Sequence, residues 1–204
     1  AKEYRVATVF VDINGYSDYV SDEDAEDVLF MLNLFLPEVM ELVRDFDGVA
    51  ETNTGDGILA YFGAGERDDE TKAETLLEFL ATVEWLLNEE VNPTLESEGI
   101  ETISISSGSA FGKTHISRIG AHSGNQRMNR LTSVSLSTNI AAELEEKTGT
   151  NTHLVSEGVY QKSDSYGWGK YLKDQGNHGS YRFGSDSSGY TDSNYYKFTG
   201  IWNP

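Results

Sequence analysis

Cysteine is absent from this 204-residue chain. That excludes disulfides, thiolate metal sites and a cysteine nucleophile. Cations are scarce: 15 Lys and Arg stand against 34 Asp and Glu, a net charge of −19. So acidic a chain repels polyanions, and neither nucleic acid nor an anionic membrane surface is expected as a partner. No apolar run approaches the roughly 18 residues a membrane span needs, and no basic stretch followed by an apolar one opens the sequence. A soluble, cytoplasmic protein is expected. No Walker loop, no Gly-x-Ser-x-Gly elbow and no paired-histidine zinc motif occurs. His115, His122, His153 and His178 read as polar surface or loop residues.

What is present is an ordinary globular composition, 38% hydrophobic and 11% aromatic, enough for one domain with a full core. The charge is unevenly spread. Residues 102–142 contain no Asp or Glu, where the chain's average density would place about seven. The same stretch carries Lys113, Arg118, Arg127 and Arg130. A basic island in an acidic chain suits an anionic ligand.

"RVATVFVDIN", residues 5–14, reads as a buried strand with Asp12 near its end. Ser21 is placed to cap a helix running to about Asp45, with Pro37 inside it. Residues 28–36, "VLFMLNLFL", are apolar nearly all round, which predicts burial on more than one side, as in a dimer interface. "ETNTGDGILAYF" reads as a hairpin turning on Asp56-Gly57. A second helix begins in "ERDDETKAETLLEF", and "ETISISSGSAFG" alternates like a strand. Residues 112–130 read as a long polar loop, "STNIAAELEEKTG" as a helix and "THLVS" as a strand. From residue 163 the chain is rich in Gly, Ser and aromatics. The expected organisation is a domain over 1–162 and a β-rich aromatic extension over 163–204 packed on it. The order of elements predicts an α+β sandwich, a mostly antiparallel sheet covered by helices.

Asp12 at a strand end and Asp56 at a hairpin tip reach one sheet edge if the two elements pair. Two hard oxygen ligands with open positions suit Mn²⁺ or Mg²⁺ completed by water and phosphate. The Ile13 carbonyl is a further candidate ligand, and the Gly15-Tyr16-Ser17 turn can present N–H groups to phosphate. Two ions so held would activate a hydroxyl and stabilise a transferring phosphoryl group.

"VATVFVDINGYSDYV", "ETNTGDGILAYFG" and "STNIAAELE" resemble, in order and spacing, the class III nucleotidyl cyclase homology domain. The resemblance covers roughly residues 4–162. It implies that a nucleoside triphosphate is cyclised by attack of its 3′-hydroxyl on the α-phosphorus with loss of pyrophosphate. By the same resemblance Asp12 and Asp56 hold two metals, Asn139 orients the ribose, and a homodimer shares active sites across its interface. The family's purine selectors fall on Thr52 and Thr132, which are neither adenine- nor guanine-reading residues. Its transition-state arginine falls on Glu143, so Arg118, among the basic residues of 102–142, is the expected replacement. Altered selectors, with "GKTHISRIG" after the fourth strand, resemble the pyrimidine cyclases of Pycsar anti-phage defence. This implies cyclic UMP or cyclic CMP as a signal to a separate effector. Asn53, Arg130 and Tyr16 are long enough to reach a small base. An arginine at the base edge favours uracil's O4, which makes UTP the first expectation and CTP the alternative.

Overall fold

The computed structural model describes residues 2–53, 55–65, 68–119, 130–163, 167–177 and 194–202, with the side chains of Thr52, Asn53 and Arg130 excepted. Arg127, His122 and His178 lie outside these.

Strand β1 (Lys2–Ile13) organises the molecule because both its faces are covered. Ala7, Val9, Val11 and Ile13 point into the main core, while Val6 and Phe10 join a smaller cluster on the opposite face. This two-sided burial is why the strand reads as a continuous apolar run. β1 pairs antiparallel with β3 (Gly57–Phe62) on one side and β4 (Ile105–Ile119) on the other. With β2 (Val49–Asn53), β5 (Arg130–Val134), β6 (Thr152–Ser156), β7 (Leu172–Asn177) and β8 (Asn194–Phe198), the described residues form one sheet. Its order is β2-β3-β1-β4-β6-β8-β7, with β5 pairing onto β4. All pairings are antiparallel except β4 with β6. The expected α+β sandwich is observed. The aromatic tail supplies β7 and β8 and extends the same sheet, because β8 pairs directly with β6.

The helices differ from expectation at one point. Instead of one helix capped at Ser21, α1 (Tyr16–Asp22) precedes α2 (Ala25–Asp45), and Asp24 sits at the N-cap of α2. Gly15, at φ 67°, turns the chain into α1. Tyr19 anchors α1 by its hydroxyl donating to the Glu101 carbonyl, 3.1 Å away. α2 buries Val28, Met31, Phe35, Val39 and Val43, an i, i+3, i+4 stripe on the core. Leu29, Phe30 and Met40 remain exposed on its outer side. α3 (Asp69–Leu86) starts where Asp68 accepts from the Thr71 N–H at 2.7 Å. It continues through a wide turn at Leu87–Val91 into α4 (Asn92–Glu98). α5 (Leu136–Glu146) packs on the face of β1 and β4 opposite α3, and α6 (Glu157–Ser163) follows β6.

Two further expectations are corrected. Residues 112–119 are not loop: the N-terminal half of β1 pairs with β4 as far as Ile116, and β5 pairs with it from His115 to Ile119. Cross-strand partners outweigh the Gly and Ser content of that stretch. His153 is not a surface residue; it is 4% exposed on β6. Its Nδ1 lies 2.7 Å from Ser107 Oγ and its Nε2 2.7 Å from Glu84 Oε1. Both ring nitrogens are therefore satisfied inside the fold, which makes burial of a polar ring affordable.

Candidate functional site

Register decides which acids meet. Asp12 lies opposite Gly57 on one side and Ser106 on the other. Asn53 pairs with Gly57, which puts Gly57 in β3 and not in a two-residue Asp-Gly turn. Asp56 is thereby the last loop residue, immediately before the residue beside Asp12. Gly57 has to be small: a Cβ there would stand 2.5 Å from Asp12 Oδ1. The two carboxylates expected to converge are brought together at one edge of the sheet.

A third acid, not among the expected site residues, joins them. Glu145 on α5 accepts a hydrogen bond from Ser106 Oγ at 3.0 Å. Together with Phe10, Asp12, Gly57, Ile58, Ala142 and Glu146 it lines a pocket of about 230 Å³. Its helix comes this close because Gly108 of β4 leaves α5 nothing but backbone to pack on. The cue was present only as Gly108 in a strand and Glu145 one helical turn after Ala142. Neither is informative until the helix is docked.

Burial first, and then the neighbouring charges of Asp56 and Glu145, raise the Asp12 carboxyl to about 6. The Ile13 N–H, donating to Asp12, acts the other way. Glu145 is likewise raised, first by burial. Crowded, partly desolvated acids of one sign are what a bound cation would relieve. Among the described residues no three acids or imidazoles close around a single metal position. Two adjacent carboxylates beside an open pocket instead suit a hydrated ion that finishes its shell with water and phosphate.

A raised carboxyl has a defined sign in stability. The folded state prefers the protonated form, so a cost appears as pH climbs from the ordinary carboxylate range through about 6 and is complete above it. Without divalent metal, Asp12→Asn should therefore be more stable than the parent at pH 8, by about 1 kcal/mol after allowing for solvent screening. The difference should vanish near pH 4. Thermal melts in chelator at both values check this; equal stabilities at pH 8 would show that the acids do not strain the fold.

The remaining expected residues divide by position. Gly15 and the exposed Ser17 stand at the start of α1, just after the Asp12–Ile13 strand end. Tyr16 is half-buried against the core instead of free to reach a base. Thr52 and Asn53 fall on β2 beside the site, at register positions opposite Ile58 and Gly57. Asn139 is exposed on α5, one turn before the pocket residue Ala142. Arg118, Arg130 and Thr132 do not join the carboxylates of their own chain. Arg118 pairs with Leu131, Thr132 with Ser117 and Arg130 with Ile119, at the far end of the β4–β5 arm. Asp12 pairs with Ser106, twelve residues before Arg118 on β4, which is roughly 40 Å along an extended strand. The expectation that Arg118 replaces the arginine at the position of Glu143 fails within one subunit, because β4 runs straight out past Lys2.

No protein-family model matches the chain. It is 25% identical over 163 residues to the cytidylate cyclase of Staphylococcus aureus, a match covering 79% of this chain and 38% of that protein. It is 24% identical over 161 residues to the cytidylate cyclase of Escherichia coli, covering 77% and 35%. The chain thus spans little more than a third of the length of these curated relatives. In structure it superposes on the adenylyl cyclase CyaB from P. aeruginosa with a TM-score of 0.79, at 17% identity, over 100% of this chain and 98% of that one. The sheet order and these similarities agree: the chain has the fold of class III nucleotidyl cyclase domains and is similar in sequence to cytidylate cyclases.

Proposed function

We propose that the chain is the catalytic part of a pyrimidine nucleotidyl cyclase, with CTP its first substrate and UTP the second. The observation that carries the reading is the pairing of Asp12 and Asp56 beside an open acidic pocket. The two relatives named cytidylate cyclase favour CTP. The earlier preference for UTP rested on Arg130 at the base edge, and its side chain lies outside the described residues.

Asp12 and Asp56, with the Ile13 carbonyl, would hold two Mn²⁺ or Mg²⁺ ions. Ions bound there would lower the pKa of the 3′-hydroxyl and neutralise charge on the phosphoryl group. The 3′-oxygen bonds to the α-phosphorus, the bond from that phosphorus to the bridging oxygen breaks, pyrophosphate leaves, and the hydroxyl proton passes to water. The Gly15-Tyr16-Ser17 turn would meet phosphate oxygens. Cyclic CMP would then act on a separate effector protein as a signal in anti-phage defence.

Glu143 stands on α5 where the family's arginine is expected, and supports a second reading, a nucleotide-binding module without turnover. The first reading needs a cation from elsewhere. Arg118 can supply it only from a partner subunit, which also gives a use to the exposed Leu29, Phe30 and Met40 of α2. Incubation with the four nucleoside triphosphates and Mn²⁺, with products identified by mass, tests the reaction. Cyclic CMP or cyclic UMP is expected; pyrophosphate without a cyclic product would overturn it. Arg118→Ala and Asp12→Ala should each be at least about a hundredfold slower. Mixing the two should restore activity, because one interface of the mixed dimer keeps both groups. No recovery on mixing would remove Arg118 from the site.

A further inference from the structure

The corner that follows Asp12 and Ile13 is held by a chain of hydrogen bonds that runs in one direction. The Asn14 Nδ2 amide donates to Ser106 Oγ at 2.9 Å. A serine hydroxyl has one proton, and Ser106 gives it to Glu145 Oε1 at 3.0 Å. The other end of the Asn14 amide is committed as an acceptor. Its Oδ1 receives the Ser104 hydroxyl at 3.2 Å and the Asn151 N–H at 3.3 Å. With donors arriving on one side and an acceptor waiting on the other, the amide has a single sensible orientation. The Asn14 backbone N–H also donates to the Ser104 carbonyl at 2.9 Å.

These bonds join three separate elements. Asn14 leaves β1, Ser106 is 2% exposed on β4, and Glu145 belongs to α5. Between Asp12 and Gly15 the chain changes from extended strand to the left-handed turn that opens α1. The β1–β4 ladder reaches Ile13, opposite Ile105, and the Asn14 N–H closes it on Ser104; beyond that point the Asn14 side chain adds the tie that links the corner to Ser106 and, through it, to α5.

We propose that Asn14 is a positioning residue for the metal corner, holding the Asp12–Ile13 backbone in place through Ser106 to Glu145 and so fixing it relative to α5. This rests on the reading that Asp12 and Ile13 bind divalent metal. Asn14 touches neither metal nor nucleotide; it acts by keeping the ligands' geometry, as the outer partners of metal ligands commonly do. The chain also gives Glu145 a structural task on one oxygen while the carboxylate still lines the pocket.

The test measures Mn²⁺ binding by electron paramagnetic resonance of the free ion, without nucleotide, beside steady-state kinetics and thermal melts. Asn14→Ala and Ser106→Ala are each expected to weaken Mn²⁺ binding about tenfold. The double variant should be no weaker than either single one, since both cut the same chain. In kinetics kcat should fall while the nucleotide KM changes less than threefold. Mn²⁺ affinity within twofold of the parent in both variants, whatever their melting temperatures, would reduce the chain to fold stability and overturn the proposal. If Asn14→Ala does not fold, Ser106→Ala decides alone. Asp12→Ala serves as control: if it too leaves Mn²⁺ binding intact, the metal reading of the site fails, and it fails separately from the positioning role.

Discussion

Replacing Asp12 or Asp56 by alanine is expected to abolish cyclisation, a loss of about 10³-fold or more, while the protein still folds. The size follows from the geometry. One carboxylate comes from the end of β1 and the other from the loop before β3, and a single carboxylate beside an open pocket holds a hydrated ion poorly. Removing one should therefore remove the ions that compensate phosphoryl charge, so the loss falls on the transition state. Neither change opens a hole in the core. Asp56 is a half-buried loop residue, and the equally half-buried Asp12 carboxyl is held in a setting that disfavours its charge, so removing it relieves the fold. Initial rates with CTP and UTP, beside melting temperatures, give the result. More than a tenth of parental activity in either variant, at saturating Mn²⁺, would refute the central assignment.

Gly108→Val is expected to be the most damaging single change to stability. A Cβ at Gly108 would land on the Ala141 carbonyl and the Glu145 amide N–H, the partners of a helical hydrogen bond within α5. Those are backbone atoms and cannot swing aside. The helix must lift off β4, which is overpacking of the least forgiving kind, at a cost of about 3 kcal/mol or more. In a domain of this size that is a fall in melting temperature on the order of 10 °C. The effect should reach the site, because lifting α5 withdraws Glu145 from Ser106 and carries Asn139 with it. Denaturant unfolding and Mn²⁺ binding measured together check both. A stable variant with parental Mn²⁺ affinity would mean that α5 is not held by this contact.

Local chemistry in the sequence determined a good deal. The two-sided apolar run of β1, the hairpin around Asp56 and the helix of "STNIAAELE" were legible because their periodicity is a property of neighbouring residues, although the helix is capped by Ser135 and not by the expected Ser137 or Thr138. The two candidate metal carboxylates were legible too, since each stands at the end of an element that can be recognised alone. Tertiary structure alone decided the rest. β4 became a strand to Ile119 only because β1 and then β5 were there to pair with it, and that pairing carried Arg118 and Thr132 far from the acids of their own chain. His153 went inside because Ser107 and Glu84, distant in sequence, satisfy both its nitrogens. Glu145 entered the site because Gly108 admits the backbone of α5, a contact between residues 37 apart in the chain. Sequence pattern reports which face of an element is apolar. Which polar residue of one element meets which of another depends on register and docking, and those are fixed only when the whole sheet is assembled.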